Sequence, residues 1–492
     1  MMKPYEILLS GVTIVPVIGV ILLLVWRKAT KTQAAIVGII SESVALIIPL
    51  VLLSTLRREG VIYFSLPWIP NMQISFSLEL NWLSITFLLT EVLTTLAAMI
   101  YSLGDEDGQT NSNYYYALLL LFSLGMSGTT LSNDVFVFYI FWELMLIASV
   151  ILIVMWGHGE IRFRVSLKYF IITHIGSLMV LVCLITLYVN FGTANLNELM
   201  LHAATLSTNM QVFLTIFFII GFSLKMAIFP LHIWLPDAHT VAPMPVTIIL
   251  AAAMLSMGTF GILRFPYSLF PIETIQPFAI WLMIAGLVSE IYGALMALAE
   301  QEIKRIIAYS SVSQMGYILF GLGSLTARGL QGSIMHVVYH AIVKALLFMV
   351  VGIIISTTRQ RDIRNVSGLG KQFPLLTACA LIGVLGISGM PPLGIFNSEW
   401  LIFAGGFDSG VSIVLTVITL IGSILTLVYG LRFFGRIFFG EQKPETLPEK
   451  FPLALFVPTV AVTIFLIVEG LMPGPLMGWA IEGLSGVFGG LL

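Results

Sequence analysis

Four charged residues interrupt long apolar runs: Glu143, Lys225, Lys344 and Glu399. A charge near the centre of a bilayer costs about 2.5–3.5 kcal/mol even on lenient insertion scales. Each must therefore have a partner, water or a task. Lys225 stands five residues before Pro230, in Gly221-Phe222-Ser223-Leu224-Lys225-Met226-Ala227-Ile228-Phe229-Pro230. Proline removes a backbone donor and breaks the helix, which leaves carbonyls free for water or a cation. Burial disfavours a charged amine, and a close carboxylate favours it. The charge on Lys225 should then follow its distance from an acid, and Glu143, in mid-span, is the expected partner. The bland readings are a lysine snorkelling to an interface and a protonated glutamic acid bonded to a neighbouring helix.

His336, His340 and Lys344 are spaced i, i+4, i+8, on one helix face with a rise of about 6 Å per step. Histidine titrates near neutrality, and a row of such groups within a membrane suits a water-linked proton relay. Two histidines four apart also suit a metal, but no third ligand stands nearby. His336, near the outer end, equally suits helix packing. Glu399 follows a second break at Pro391-Pro392; it reads as a terminal proton site or as a carboxylate capping the second half-helix. His174 extends the relay or packs, and His232 and Asp237, just past the first break, join the candidates. Glu42, Glu91 and Glu290 are further intramembrane carboxylates that spacing does not place on the same path.

The elements that must hold these residues are membrane helices. Of 492 residues, 58% are hydrophobic and 10% charged, with a mean hydropathy of +1.01; soluble domains carry about 25% charged residues. The fold class is all-α polytopic membrane protein. A net charge of −2 argues against nucleic acid as a partner. Cys183 and Cys379 lie in apolar runs and offer neither a disulfide framework nor a metal cluster. The stretch from Tyr5 to Trp26 reads as a first spanning helix rather than a removable signal.

Apolar windows of about 20 residues give fourteen spans, near 5–26, 34–56, 80–103, 113–132, 134–156, 165–190, 210–230, 244–266, 277–299, 304–326, 331–356, 375–396, 411–437 and 453–473. No soluble domain fits in the gaps. The chain is one transmembrane domain: helices 1–3 in 1–112, a first repeat in 113–266, a second in 277–437, and a last loop and span in 438–492. Of the 23 lysines and arginines, 16 fall in alternate loops: Arg27, Lys28, Lys31; Arg162, Arg164, Lys168; Lys304, Arg305; Arg359, Arg361, Arg364, Lys371; Arg432, Arg436, Lys443 and Lys450. By the positive-inside rule these loops face inward, which puts both termini on the outer side of a cell membrane.

Leu167-Lys168-Tyr169-Phe170 and Val343-Lys344-Ala345-Leu346-Leu347-Phe348 form a weak internal echo, and spans 7 and 12 are both broken by proline. Spans five apart run in opposite directions, so helices 4–8 and 9–13 would be inverted five-helix repeats. Paired broken helices in inverted repeats point to a translocation site.

Three stretches resemble one family. Phe222-Ser223-Leu224-Lys225 running to Pro230-Leu231-His232-Ile233-Trp234-Leu235-Pro236-Asp237-Ala238-His239 is similar to the hallmark of the antiporter-like subunits of respiratory complex I. Mrp-type sodium/proton antiporters and membrane-bound hydrogenase and sulfane reductase complexes share that subunit. Gln301-Glu302-Ile303-Lys304-Arg305, continuing to Gly316-Tyr317, and the His336–Lys344 stretch resemble two further signatures, so the likeness spans about 75–440. The resemblance implies two inverted repeats and a central Glu/Lys/His axis for protons, with sodium left open beside them. Glu143 and Lys225 match the family's carboxylate–lysine pair, and Glu399 matches the charged residue of the second broken helix. Many members carry a lysine in helix 8, where this chain has Ser256, so any axis must cross there through water, His340 or Lys344.

No iron–sulfur cysteine cluster or nucleotide-binding glycine motif is present. The expectation is a subunit with no cofactor of its own, iron–sulfur or nickel–iron centres belonging to partner subunits. Its partners would be other integral membrane subunits, including antiporter-like paralogues and small Mrp-type subunits. It would serve an ion-translocating oxidoreductase or an antiporter driven by an ion gradient. A 492-residue chain with an acid at Glu399 leans towards Mrp-type antiporters and their hydrogenase and sulfur-reducing relatives over complex I. The rival reading is a structural spacer with a non-conducting channel; an organic-solute transporter fits the motifs poorly.

Overall fold

The computed structural model describes residues 3–106, 108, 110–441 and 453–488. Lys443 and Lys450, counted above among the inner-loop cations, lie outside the described residues. The chain begins with α1 (Pro4–Val25) and α2 (Lys31–Glu59), then a hairpin of β1 (Ile62–Ile69) and β2 (Ile74–Leu80). Next come α3 (Trp82–Ser102), α4 (Ser112–Leu131), α5 (Val135–Trp156), α6 (Arg162–Phe191) and the short α7 (Leu196–His202). Span 7 is α8 (Thr208–Met226), a break, and α9 (Leu235–Val241). Span 8 is α10 (Met244–Ile249), a π-turn at Leu250–Met254, α11 (Ser256–Arg264) and α12 (Pro266–Leu269). The short α13 (Ile272–Ile275) leads to α14 (Ala279–Ala299), α15 (Ile303–Gly323) and α16 (Ala327–Thr358). After α17 (Leu369–Gln372), span 12 is α18 (Pro374–Ile387), a break, and α19 (Gly394–Asp408). The last elements are α20 (Ile413–Phe438), α21 (Leu453–Leu471) and α22 (Gly474–Phe488).

Thirteen of these segments are long and apolar enough to cross a membrane, where fourteen spans were expected; the twelfth is the broken α18–α19 pair, whose first half is a shorter apolar helix. That span was expected at 375–396, yet its second half runs to Asp408, because Gly389 (φ +63°), Pro391 and Pro392 only interrupt it. Helices dominate because a backbone in hydrocarbon must satisfy its own hydrogen bonds. Their starts are closed by side chains. Asn81 accepts from Ser84 N while Ser84 Oγ accepts from Asn81 N, both at 2.8 Å, and Asp134 Oδ1 accepts from Phe136 N and Val137 N.

Burial separates core from rim. Spans 8, 10 and 11 are enclosed along almost their whole length, whereas α20 and α21 bury only about a third of theirs. The enclosed helices approach one another through glycine. On α14 and α15, a Cβ on Gly286 would lie 2.6 Å from Phe320 N, one on Gly316 2.5 Å from Glu290 N, and one on Gly323 2.8 Å from Met283 N. The two backbones touch along this seam, the usual role of small residues between membrane helices. Gly286→Val should cost about 1–3 kcal/mol or more by overpacking, read as a lower thermal midpoint of the detergent-solubilised complex.

Two elements were not anticipated. The antiparallel hairpin pairs Ile62 with Leu80 and Tyr63 with Glu79, between spans 2 and 3. It is pinned by Glu79, whose Oε2 lies 3.1 Å from Arg264 NH2 at the end of span 8, with both side chains buried. Asn81 and Asn197 donate to the same carboxylate. The helix α22 packs back on α3, with Trp479 6.2 Å from Trp82 between ring centroids.

Candidate functional site

Lys225 occupies the last turn of α8, and Ala227 ends the helix in the left-handed region at φ +57°. The Lys225 ammonium is buried, lacks a hydrogen-bond partner among the described residues, and lies 5.3 Å from the centroid of the Trp142 ring. That is a cation–π distance. The expected Glu143–Lys225 ion pair is not closed. Glu143 is an electrostatic neighbour of Lys225, but its Oε2 lies 3.2 Å from His174 Nδ1 and its Oε1 is unpartnered among the described residues. Successive residues on a helix point about 100° apart. Trp142 therefore meets α8 while Glu143 turns towards α6. The break also differs from expectation: Ser223 O accepts from Ile228 N, and Leu224 O from Ala227 N and from Trp234 Nε1 at 3.1 Å. Those carbonyls are not free for a cation, since buried backbone acceptors find donors.

Past the break, Asp237 is clamped. Its Oδ2 accepts from Lys168 Nζ at 2.8 Å and its Oδ1 from Arg305 NH1 at 2.7 Å. Arg305 also donates to Glu300 Oε2 at 3.0 Å. Glu300 lies in the loop before α15. Burial would raise its carboxyl, but the Gln301 N–H and Arg305 hold it below the usual glutamate range. Asp237 thus ties α6, α9 and α15 together. His232 stacks on Phe229 and meets Tyr292 edge-on.

The α16 row divides. His336 has both ring nitrogens satisfied, by Ser398 Oγ at 3.0 Å and Gln314 Oε1 at 2.9 Å; it is a packing histidine in this arrangement. His340 is buried with Nε2 unpartnered among the described residues. Lys344 Nζ donates to Ile307 O at 2.9 Å and to Ser310 Oγ. Beyond Ser310, Tyr429 of α20 faces Ser310, Gln314 and Glu399. Glu399 is buried in the second turn of α19, past the helix start, and does not cap it. Its carboxyl presses on Gly389 so closely that a Cβ there would overlap Oε2.

Two features of the middle were hidden from sequence reasoning. His239 on α9 is fully buried, both nitrogens lack partners among the described residues, and its electrostatic neighbours include Lys344 and His340. It bridges the first broken helix and the α16 row, and it was already present at the end of the Pro230–His239 motif. Ser256 donates to Ala253 O of the π-turn and is occupied locally. Glu42 and Glu91 lie away from this row, accepting from Ser123 (2.6 Å) and Ser127 of α4.

A family model described as the membrane part of NADH:quinone oxidoreductase and Mrp antiporter matches residues 132–426. NADH-quinone oxidoreductase subunit M of Escherichia coli K12 is 33% identical over 430 residues, covering 84% of this chain and 82% of its own. The chain belongs to this antiporter-like family. A structure of the Mrp complex from Dietzia sp. matches with a TM-score of 0.88 at 22% identity, covering 99% of this chain and 98% of that one. The archaeal membrane-bound sulfane sulfur reductase matches with a TM-score of 0.88 at 26% identity, covering 96% and 77%. An antiporter-like subunit of this kind works among other integral membrane subunits. The Escherichia coli relative belongs to a quinone oxidoreductase, so the sequence likeness does not favour Mrp-type or hydrogenase assemblies over complex I.

Proposed function

We propose that this subunit conducts protons along Glu143, His174, Lys225, His239, His340, Lys344 and Glu399, coupled to redox chemistry or an ion gradient in partner subunits. One observation carries the reading: Lys225, His239, His340, Lys344 and Glu399 are buried in the bundle interior, several with polar atoms that no group among the described residues satisfies, and Glu143 with His174 stands partly buried at the α5–α6 end. Burying unsatisfied polar groups is costly, and their alignment supports water and protons as what completes them. The row is rich in amines and imidazoles, which favours protons over sodium, a hard cation that needs several oxygen ligands. Electron transfer then belongs to partner subunits, and this chain needs no cofactor. The positive-inside bias supports both termini outside, with Lys168, Arg305 and Glu300 at the inner face.

His340→Leu in the assembled complex, reconstituted in proteoliposomes with a pH dye, should lower coupled proton transport roughly tenfold. Ser398→Ala removes one His336 bond and should cost about 1 kcal/mol of stability with little change in transport. Equal rates for His340→Leu and wild type would remove His340 from the path. The spacer reading draws on span 8, where Ser256 is consumed by its own π-turn; full transport after substitution of both Glu143 and Glu399 would favour it.

A further inference from the structure

Glu290 lies on α14, outside the row just described, fully buried and with neither carboxyl oxygen hydrogen-bonded among the described residues. Two glycines shape its place. Gly422 of α20 faces it so closely that a Cβ there would overlap Glu290 Oε1. Gly316 of α15 lies against the Glu290 backbone and brings the next residue, Tyr317, beside the carboxyl. The Tyr317 hydroxyl is buried, unpartnered among the described residues, and an electrostatic neighbour of both Glu290 and Glu399. Thr419 Oγ1 of α20, next to Glu290, is a further buried oxygen unpartnered among the described residues. The surrounding wall is apolar, with Met283, Leu287, Phe320 and Phe403. Packing alone gives no reason to keep an acid there, because a buried carboxyl without partners is expensive and an aliphatic side chain would fill the same space.

We propose that Glu290 is a further proton site, taking the proton from Glu399 through Tyr317. The proposal rests on the conduction reading above. The O–H bond of the Glu399 acid breaks as the Tyr317 oxygen accepts its proton, and Tyr317 releases its own to the Glu290 carboxylate. One O–H bond is lost at Glu399 and one gained at Glu290; the tyrosine is unchanged and no oxidant takes part. Glu290 sits where α14 meets α20, beneath a rim whose outer side chains, Val288, Leu295, Ile421 and Ile424, are exposed. The path therefore bends sideways towards the edge of the bundle after Glu399, instead of ending on α19.

The test uses the whole assembled complex in proteoliposomes, with assembly checked by co-purification. Glu290→Gln keeps the size and removes the titratable group; transport should fall roughly tenfold, Tyr317→Phe should match it, and Glu290→Asp should recover part of the rate. An infrared difference spectrum between acid and alkaline buffer gives a readout that a packing role would not move: Glu290→Gln should lose one band from a buried protonated carboxyl. Wild-type transport with an unchanged carboxyl spectrum in Glu290→Gln, while Lys225→Ala is inactive, overturns the assignment of Glu290 and leaves the conduction reading standing. Normal transport in Lys225→Ala removes both. If Glu290→Gln does not assemble, Tyr317→Phe decides, and a wild-type rate there overturns the relay.

Discussion

Lys225→Ala in the assembled complex should reduce coupled proton transport by at least about tenfold, while the complex still assembles. Lys225 is the one titratable side chain on α8, and its ammonium rests on the Trp142 face with no hydrogen-bond partner among the described residues. Without it, Glu143 loses its charged neighbour on α8 and keeps the contact with His174. The alanine removes a charge that packing does not require, so assembly should survive. Lys225→Arg is the sharper variant. Arginine keeps the positive charge and the contact with Trp142 but does not release a proton in proteins, so a relay fails with it as with alanine, whereas a purely electrostatic role survives. Proton uptake monitored with an entrapped pH dye, alongside electron-transfer rates, separates the two. Wild-type pumping in Lys225→Ala would remove the lysine from the mechanism.

Glu79→Ala should be the most destabilising single change outside the row, by about 3–5 kcal/mol. Glu79 faces Arg264 at 3.1 Å with both side chains buried, and Asn81 and Asn197 complete the carboxylate. Removing the acid leaves a guanidinium in a dry site, its other side-chain bond being a long 3.4 Å contact with Asn133 Oδ1. The hairpin would lose its tie to span 8, and the yield and thermal midpoint of the complex should fall together. Replacing both partners, Glu79→Gln with Arg264→Met, should recover much of the loss, because an apolar group of similar size carries no charge to strand. A double variant as unstable as Glu79→Ala would mean that the hairpin depends on the ion pair itself.

The helices were legible because hydrocarbon admits few alternatives. Twenty apolar residues in water-free surroundings make a helix, and proline marks where it stops, so spans 7 and 12 showed their breaks in advance. What escaped notice depended on contacts distant in sequence. The hairpin's β1, Ile-Tyr-Phe-Ser-Leu-Pro-Trp-Ile, contains a proline and mostly exposed positions, and the hairpin's main anchor, Glu79 on β2, meets an arginine 185 positions further on, Arg264. Lys225, His340, Lys344 and Glu399 are all interior, as charged residues in long apolar runs should be, but their partners were not readable. Rotation about α5 decides that Glu143 meets His174, and the fold of α9 decides that His239 approaches α16. His336 read as relay or packing residue, and Asp237 as a further candidate past the first break. Neighbours on α15 and α19 satisfy the first, and two cations hold the second.

The glycine seam between α14 and α15 has a mechanical consequence. Backbones in direct contact leave no compliant layer of side chains between them, so this half of the bundle transmits a push without yielding to it. On the conduction reading proposed above, opening and closing would come from side chains swinging and from wetting and drying of narrow gaps, not from α14 and α15 sliding past each other.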